Sequence, residues 1–91
     1  MELSKMSEFL MTEPLDSLSM YDLNWRIAFL MEEKDHLREE MLKAREHVSE
    51  NFNNRIIAAY LRQLIEKINT RSSELIREVN RRTVNQRQNQ N

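Results

Sequence analysis

Residues 18–48 read LSMYDLNWRIAFLMEEKDHLREEMLKAREHV, and the spacing inside this stretch decides the fold class. Leu23, Ile27, Leu30, Lys34, Leu37, Met41, Ala44 and Val48 recur in alternating steps of four and three, and only Lys34 is not apolar. Steps of that size return to one stripe of an α-helix, giving a heptad seam by which one helix packs along another. Lys34 is expected to lay its methylene stem along the seam and lift its ammonium to water. Ser19 stands as a cap with Asp22 three residues on, and Leu18 is spaced to pack on Leu23. Together these start a helix at about Met20. Glu32, Glu33, Asp35, Arg38, Glu39, Lys43 and Glu46 form a solvated outer face, on which the Glu39–Lys43 pair contributes only a few tenths of a kcal/mol.

Downstream, Ser49-Glu50-Asn51-Phe52-Asn53-Asn54 interrupts the seam with residues whose side chains compete for backbone hydrogen bonds and favour turns. A second, broader stripe then follows in Ile57, Leu61, Leu64, Ile65, Ile68, Ser72, Leu75, Ile76 and Val79. Upstream, Leu3, Met6, Phe9, Leu10 and Met11 have helical spacing over barely two turns, a length that needs tertiary support, and Pro14 stops them. The predicted fold is all-α: an antiparallel hairpin of two long helices, 20–50 and 54–82, preceded by a short helical segment at 3–12. The whole is a single domain over 1–82 with a disordered polar tail at 83–91, and it is expected to dimerise into a helical bundle or coiled coil. The competing reading is one continuous helix from Met20 to about Arg82 in a parallel coiled coil, because asparagines alone mark the turn.

Composition narrows the functional classes. The 91 residues include no glycine, no cysteine and one proline, Pro14, with 40% hydrophobic and 32% charged side chains. Tight β-hairpins and phosphate-cradling loops both rely on glycine, and thiolate metal sites and cysteine nucleophiles need cysteine. A chain this short buries only about 60 to 65% of its unfolded surface, which makes a deep catalytic cavity unexpected. The beginning of the chain lacks the basic segment and apolar run of a secretory signal, and no stretch approaches the roughly 18 apolar residues of a membrane span. A cytoplasmic protein with no membrane partner is the expectation.

The chemistry-bearing residues are sparse. Glu33 and His36 have the Glu-x-x-His spacing of di-metal bundles, but the second long helix carries only Glu66, Glu74 and Glu78 and no histidine, so no metal and no cofactor are predicted. His47, beside Glu46, reads as a surface residue. The serines have no histidine base oriented by a third group nearby in the chain, and no enzyme activity is predicted.

Two features point to partners. Tyr21, Trp25 and Phe29 step by four along the helix turns that carry Leu23, Ile27 and Leu30, yet lie close to the opposite side. One face takes the other long helix. The second must be covered by the N-terminal segment, by another copy, or by a foreign protein. Tyr21, Trp25, Phe29 and Met31, with Ile56 and Tyr60 as a weaker second patch, are the candidate residues for binding a protein partner through a helix. The expected role is a small adaptor, chaperone-like or regulatory factor. The alternative rests on charge. Residues 1–50 carry 12 acidic against 6 basic side chains and residues 51–91 carry 3 against 8, so the halves are complementary at −6 and +5. Folding one half on the other neutralises this, whereas a nucleic-acid-binding regulator would instead present Arg71, Arg77, Arg81 and Arg82 to phosphates.

Overall fold

The computed structural model describes the backbone of residues 3–89 and side chains through residue 87, as three helices: α1 (Lys5–Thr12), α2 (Met20–Glu46) and α3 (Asn53–Asn89). Each boundary has a local cause. Ser4 caps α1, its hydroxyl accepting from the Ser7 N–H at 3.1 Å, and α1 ends at Glu13 in the extended conformation that the following proline imposes. At the head of α2 the Ser19 hydroxyl accepts from the Asp22 N–H at 3.0 Å, and the Asp22 carboxylate accepts from the Ser19 N–H at 3.2 Å. This reciprocal box satisfies two donors that a helix start otherwise leaves open.

The connection between α2 and α3 turns without any residue at positive φ, as a stretch without glycine favours. The His47 carbonyl gathers the N–H groups of Glu50 and Asn51 and the Asn54 side-chain amide, the last at 2.8 Å. Asn51 Oδ1 accepts from the Asn53 N–H at 3.0 Å and opens α3. Short amides therefore supply the partners that a glycine-based C-cap would have freed.

Beyond the turn, α2 and α3 pack along one another in a hairpin-like arrangement. Near the turn, Arg45 and Val48 share a groove with Arg55 and Ala58, while at the far end Arg82 of α3 reaches the carbonyls of Leu15 and Leu18 just before α2. Leu23, Leu30, Leu37 and Ala44, one heptad apart, are buried, and Ile27, Lys34, Met41 and Val48 between them are half-buried. From α3 come Ala58, Leu61, Leu64, Ile65, Ile68 and Leu75. Each fully buried leucine or isoleucine contributes about 1.5 to 3 kcal/mol relative to exposure. Leu10 of α1 joins the same cluster, making α1 part of the core.

Two expectations are corrected. The tail predicted to be disordered from residue 83 is helical through Asn89, while Gln90 and Asn91, like Met1 and Glu2, lie outside the described residues. No glycine or proline stops α3. Glu78 pairs with Arg81 and Arg82 one turn on, and the Thr83 hydroxyl donates to the Val79 carbonyl at 2.8 Å. The second correction is Ile76, placed on the seam by periodicity but 41% exposed, because α2 is a single neighbour and covers a narrower arc than the stripe spans. The α-carbon envelope, 62 × 22 × 14 Å, is a rod too thin to enclose both flanks of the helix pair.

Ser72 occupies the core side of α3 at 2% exposure, and its hydroxyl is the one buried side-chain oxygen or nitrogen among the described residues with no hydrogen-bond partner. Replacing it removes a desolvated group that gains nothing in return. Ser72→Ala is expected to raise stability by about 1 kcal/mol, measured as a higher denaturant midpoint at unchanged slope.

Candidate interaction surface

The surface that a partner can meet is set by how α1 lies on the other two helices. Its start is held where the Ser4 N–H donates to Glu33 Oε1 at 3.0 Å, and its end where Glu13 takes a two-pronged ion pair from Arg26, Nε to Oε1 at 2.5 Å and Nη2 to Oε2 at 2.8 Å. α1 therefore runs antiparallel to α2. The fork-on-fork pairing holds the Glu13 carboxyl below the ordinary range, chiefly through the Arg26 hydrogen bond.

From α3, Arg71 donates through Nε to the Leu10 carbonyl at 2.7 Å and through Nη2 to the Glu13 carbonyl. Arg82 does the same for the linker, donating to the Leu15 carbonyl at 2.9 Å and to the Leu18 carbonyl. Carbonyls at a helix end cut off by proline have no intrahelical donor, and a guanidinium carries five. Arg71 is only 8% exposed, so its charge is spent inside the fold. Arg81 and Arg82 both donate to Glu78, which lowers that carboxyl to about 2. Of the four arginines nominated for nucleic acid, Arg71, Arg81 and Arg82 thus have intramolecular partners. Arg77 is left without an ion pair or side-chain hydrogen bond among the described residues.

The aromatic residues behave differently. Trp25 and Phe29 stack with ring centroids 5.5 Å apart and planes at 23°, and the Arg26 guanidinium lies 5.6 Å over the Trp25 ring. One cation thereby links the end of α1, through Glu13, to the face of the indole. Trp25 is nevertheless 43% exposed and Tyr21, one turn earlier, 78%. Phe29 is half-buried and packs partly on the core. Folding back of α1 does not cover this ridge: Leu10 turns inward while Met6 and Phe9 stay exposed, Phe9 at 58%. At about 100° per residue, Met6 and Phe9 project within about 40° of Glu13, the side of α1 that meets Arg26.

Met31 does not belong to that ridge, since six residues place it about 120° around α2 from Trp25. Ile56 and Tyr60 are exposed but lie at the turn-proximal end of α3, where Tyr60 borders a groove of about 350 Å³ with Leu3, Glu8, Met11, Leu64 and Lys67. They form a second, separate patch beside the start of α1. Sequence reasoning missed the four-point tether of Glu33, Glu13–Arg26, Arg71 and Arg82. Its one legible trace is Arg71, which sits three residues after Ile68 and four before Leu75, on the buried stripe where a cation needs acceptors.

Among the described residues no group of three His, Cys, Asp or Glu side chains is placed to hold a metal ion, and no helix is long and apolar enough to cross a membrane. Comparison of the chain with protein-family models, with curated proteins and with solved structures finds no match.

Arg71→Ala is expected to free α1, with amide hydrogen exchange over residues 5–12 rising toward the unprotected rate, whereas Arg77→Ala leaves it unchanged within about 0.5 kcal/mol. Acid gives a second check. Because the folded Glu78 carboxyl lies at about 2, below its ordinary 4.5, its contribution is complete above pH 4.5 and is lost as pH falls toward 2. Thermal melts through that window should show a shallower decline for Glu78→Gln than for the wild type.

Proposed function

We propose that this chain is a non-catalytic helical interaction module, an adaptor or regulatory factor that receives a partner helix on the ridge formed by Tyr21, Trp25 and Phe29 with Met6 and Phe9 beside it. The observation that carries the reading is the open Trp25–Phe29 stack, held in place by Arg26 although α1 has already folded onto the core. A rigid aromatic pair costs little side-chain entropy to bury and supplies the large contact area that anchors an interface. The hairpin arrangement of α2 and α3 acts as its scaffold. In this reading a second copy is one such partner: two ridges packed against each other bury both indoles and complete a bundle that three helices leave open on one side.

The nucleic-acid reading has less support. Its arginines are largely occupied, Arg71 and Arg82 by backbone carbonyls and Arg81 by Glu78.

Trp25 is the single tryptophan, so its fluorescence reports on the ridge directly. At low concentration emission should be red-shifted and open to acrylamide, moving to the blue as light scattering records association with a second copy or an added partner. Trp25→Ala should weaken that association by about 2 to 4 kcal/mol while leaving the circular-dichroism melt in place. A melt that collapses in the variant, or an indole already shielded in the isolated protomer, would show that Trp25 is core and remove the proposal.

A further inference from the structure

The flank of the α2–α3 pair that α1 does not cover carries a second surface of different chemistry. Near the turn, Met41, Arg45, Val48, Arg55, Ala58, Ala59 and Arg62 line a groove of about 500 Å³. It runs on into another of about 400 Å³ that shares Met41, Arg45 and Arg62 and adds Arg38, Ile65, Glu66 and Asn69. The floor is apolar and its components are half-buried or buried, apart from Ala59. The rim is basic: four exposed arginines, Arg38 and Arg45 on one wall and Arg55 and Arg62 on the other, against one glutamate, Glu66, which lies 3.6 Å from Arg62.

This arrangement differs from the arginines that serve the fold. Arg71 and Arg82 are drawn in against backbone carbonyls, whereas Arg38, Arg45 and Arg55 make no ion pair or side-chain hydrogen bond among the described residues. The groove extends from Arg55 to Asn69 along α3, about 21 Å, the length of a helix of about 14 residues. The molecule also contains its own precedent, since α1 occupies the opposite flank of the same helix pair, with apolar side chains on the seam and an α3 arginine at its C-terminal carbonyls.

We propose that this groove binds an acidic amphipathic helix, with the partner's apolar stripe on Met41, Ala58 and Ile65 and its carboxylates between the two arginine walls. Charge complementarity selects the occupant. A basic or neutral helix would leave three unpaired cations, Arg38, Arg45 and Arg55, facing it, and a purely polyanionic strand would leave the apolar floor unused. The surface is independent of the aromatic ridge, so either can fail without the other.

The test is fluorescence anisotropy at low salt with a labelled designed peptide of about 16 residues, leucine on one helical face and glutamate elsewhere. A second peptide has the same composition, rearranged so that the leucines no longer share a face, and a third carries lysine for glutamate. A single-stranded oligonucleotide of matching charge completes the set. Saturable binding of the first probe alone is expected, weakened at least tenfold by Arg45→Glu with Arg62→Glu and by Ala59→Glu at the exposed edge of the floor, each with an unchanged thermal melt. Absence of saturable binding overturns the proposal, as does equal binding of the rearranged peptide or indifference to the variants. Loss of binding on Trp25→Ala would place the peptide on the ridge instead. Displacement of the peptide by the oligonucleotide would make the groove a phosphate-tracking surface.

Discussion

Two helices lying side by side can shelter only the stripe each turns toward the other, and most of this molecule follows from that constraint. The heptad from Leu23 to Ala44 is narrow enough to be closed by α3. The apolar residues outside it are not, and the chain accommodates them unevenly. On one flank a third, short helix is added, while on the other the groove between Met41 and Ile65 stays open to water. Around the back of α2, Tyr21 and Trp25 are left exposed. Where apolar surface remains and in what electrostatic setting is therefore a record of which contacts the fold satisfies internally and which it leaves open to water.

The placement of α1 turns on hydrogen bonding as much as on apolar burial. Eight residues are too few for a stable isolated helix, and Leu10 alone brings little area into the core. The deciding groups are the carbonyls before and after Pro14, which the proline leaves outside a continuous helix; only the one at Leu15 has a backbone donor, the Leu18 N–H, among the described residues. Arg71 and Arg82, one on the buried stripe and one at its edge, reach them from α3 and convert a frayed end into a fixed one. The Arg71 charge also acts on the Glu13 carboxyl and helps to hold it below its ordinary range. Among the described residues every ion pair joins side chains of the same half, and Arg71 and Arg82 reach across at backbone carbonyls, so the −6 and +5 of the halves are not matched by carboxylate pairs between them.

Arginine serves this small protein in three ways that composition alone does not distinguish. Arg71 and Arg82 cap backbone, Arg26 joins a carboxylate to an indole face, and Arg38, Arg45 and Arg55 stand on a groove rim with no ion pair or side-chain hydrogen bond among the described residues. The planar guanidinium suits all three, because it donates in a fixed fork and stacks on rings while remaining charged. What separates the roles is the wall each side chain stands on, and that is a property of how the helices are rotated about their axes.

The helices, their starts and the turn were legible in the sequence because their causes are local. Ser19 and Asp22 lie three residues apart, the seam repeats every seven, and Asn51 and Asn54 act on a backbone within a few positions of themselves. That Tyr21 and Trp25 lie on the far side of α2 from Leu23 and Leu30 was legible for the same reason, at a fixed 100° per residue, whereas whether the first segment covers them was not. The tail was misread as disordered because its composition is polar, whereas helix persistence through 83–89 depends on Glu78, Arg81, Arg82 and Thr83 acting one turn away. Ile76 fell off the buried stripe because period alone does not fix how wide an arc a neighbour covers, whereas the place of Met31 off the aromatic ridge follows from the period itself. Only the tertiary structure decided that Arg71 and Arg82 face inward, that Glu13 meets Arg26, and that one flank is closed while the other is rimmed with cations. Those outcomes rest on contacts between residues up to 67 positions apart, whose relative rotation no local periodicity encodes.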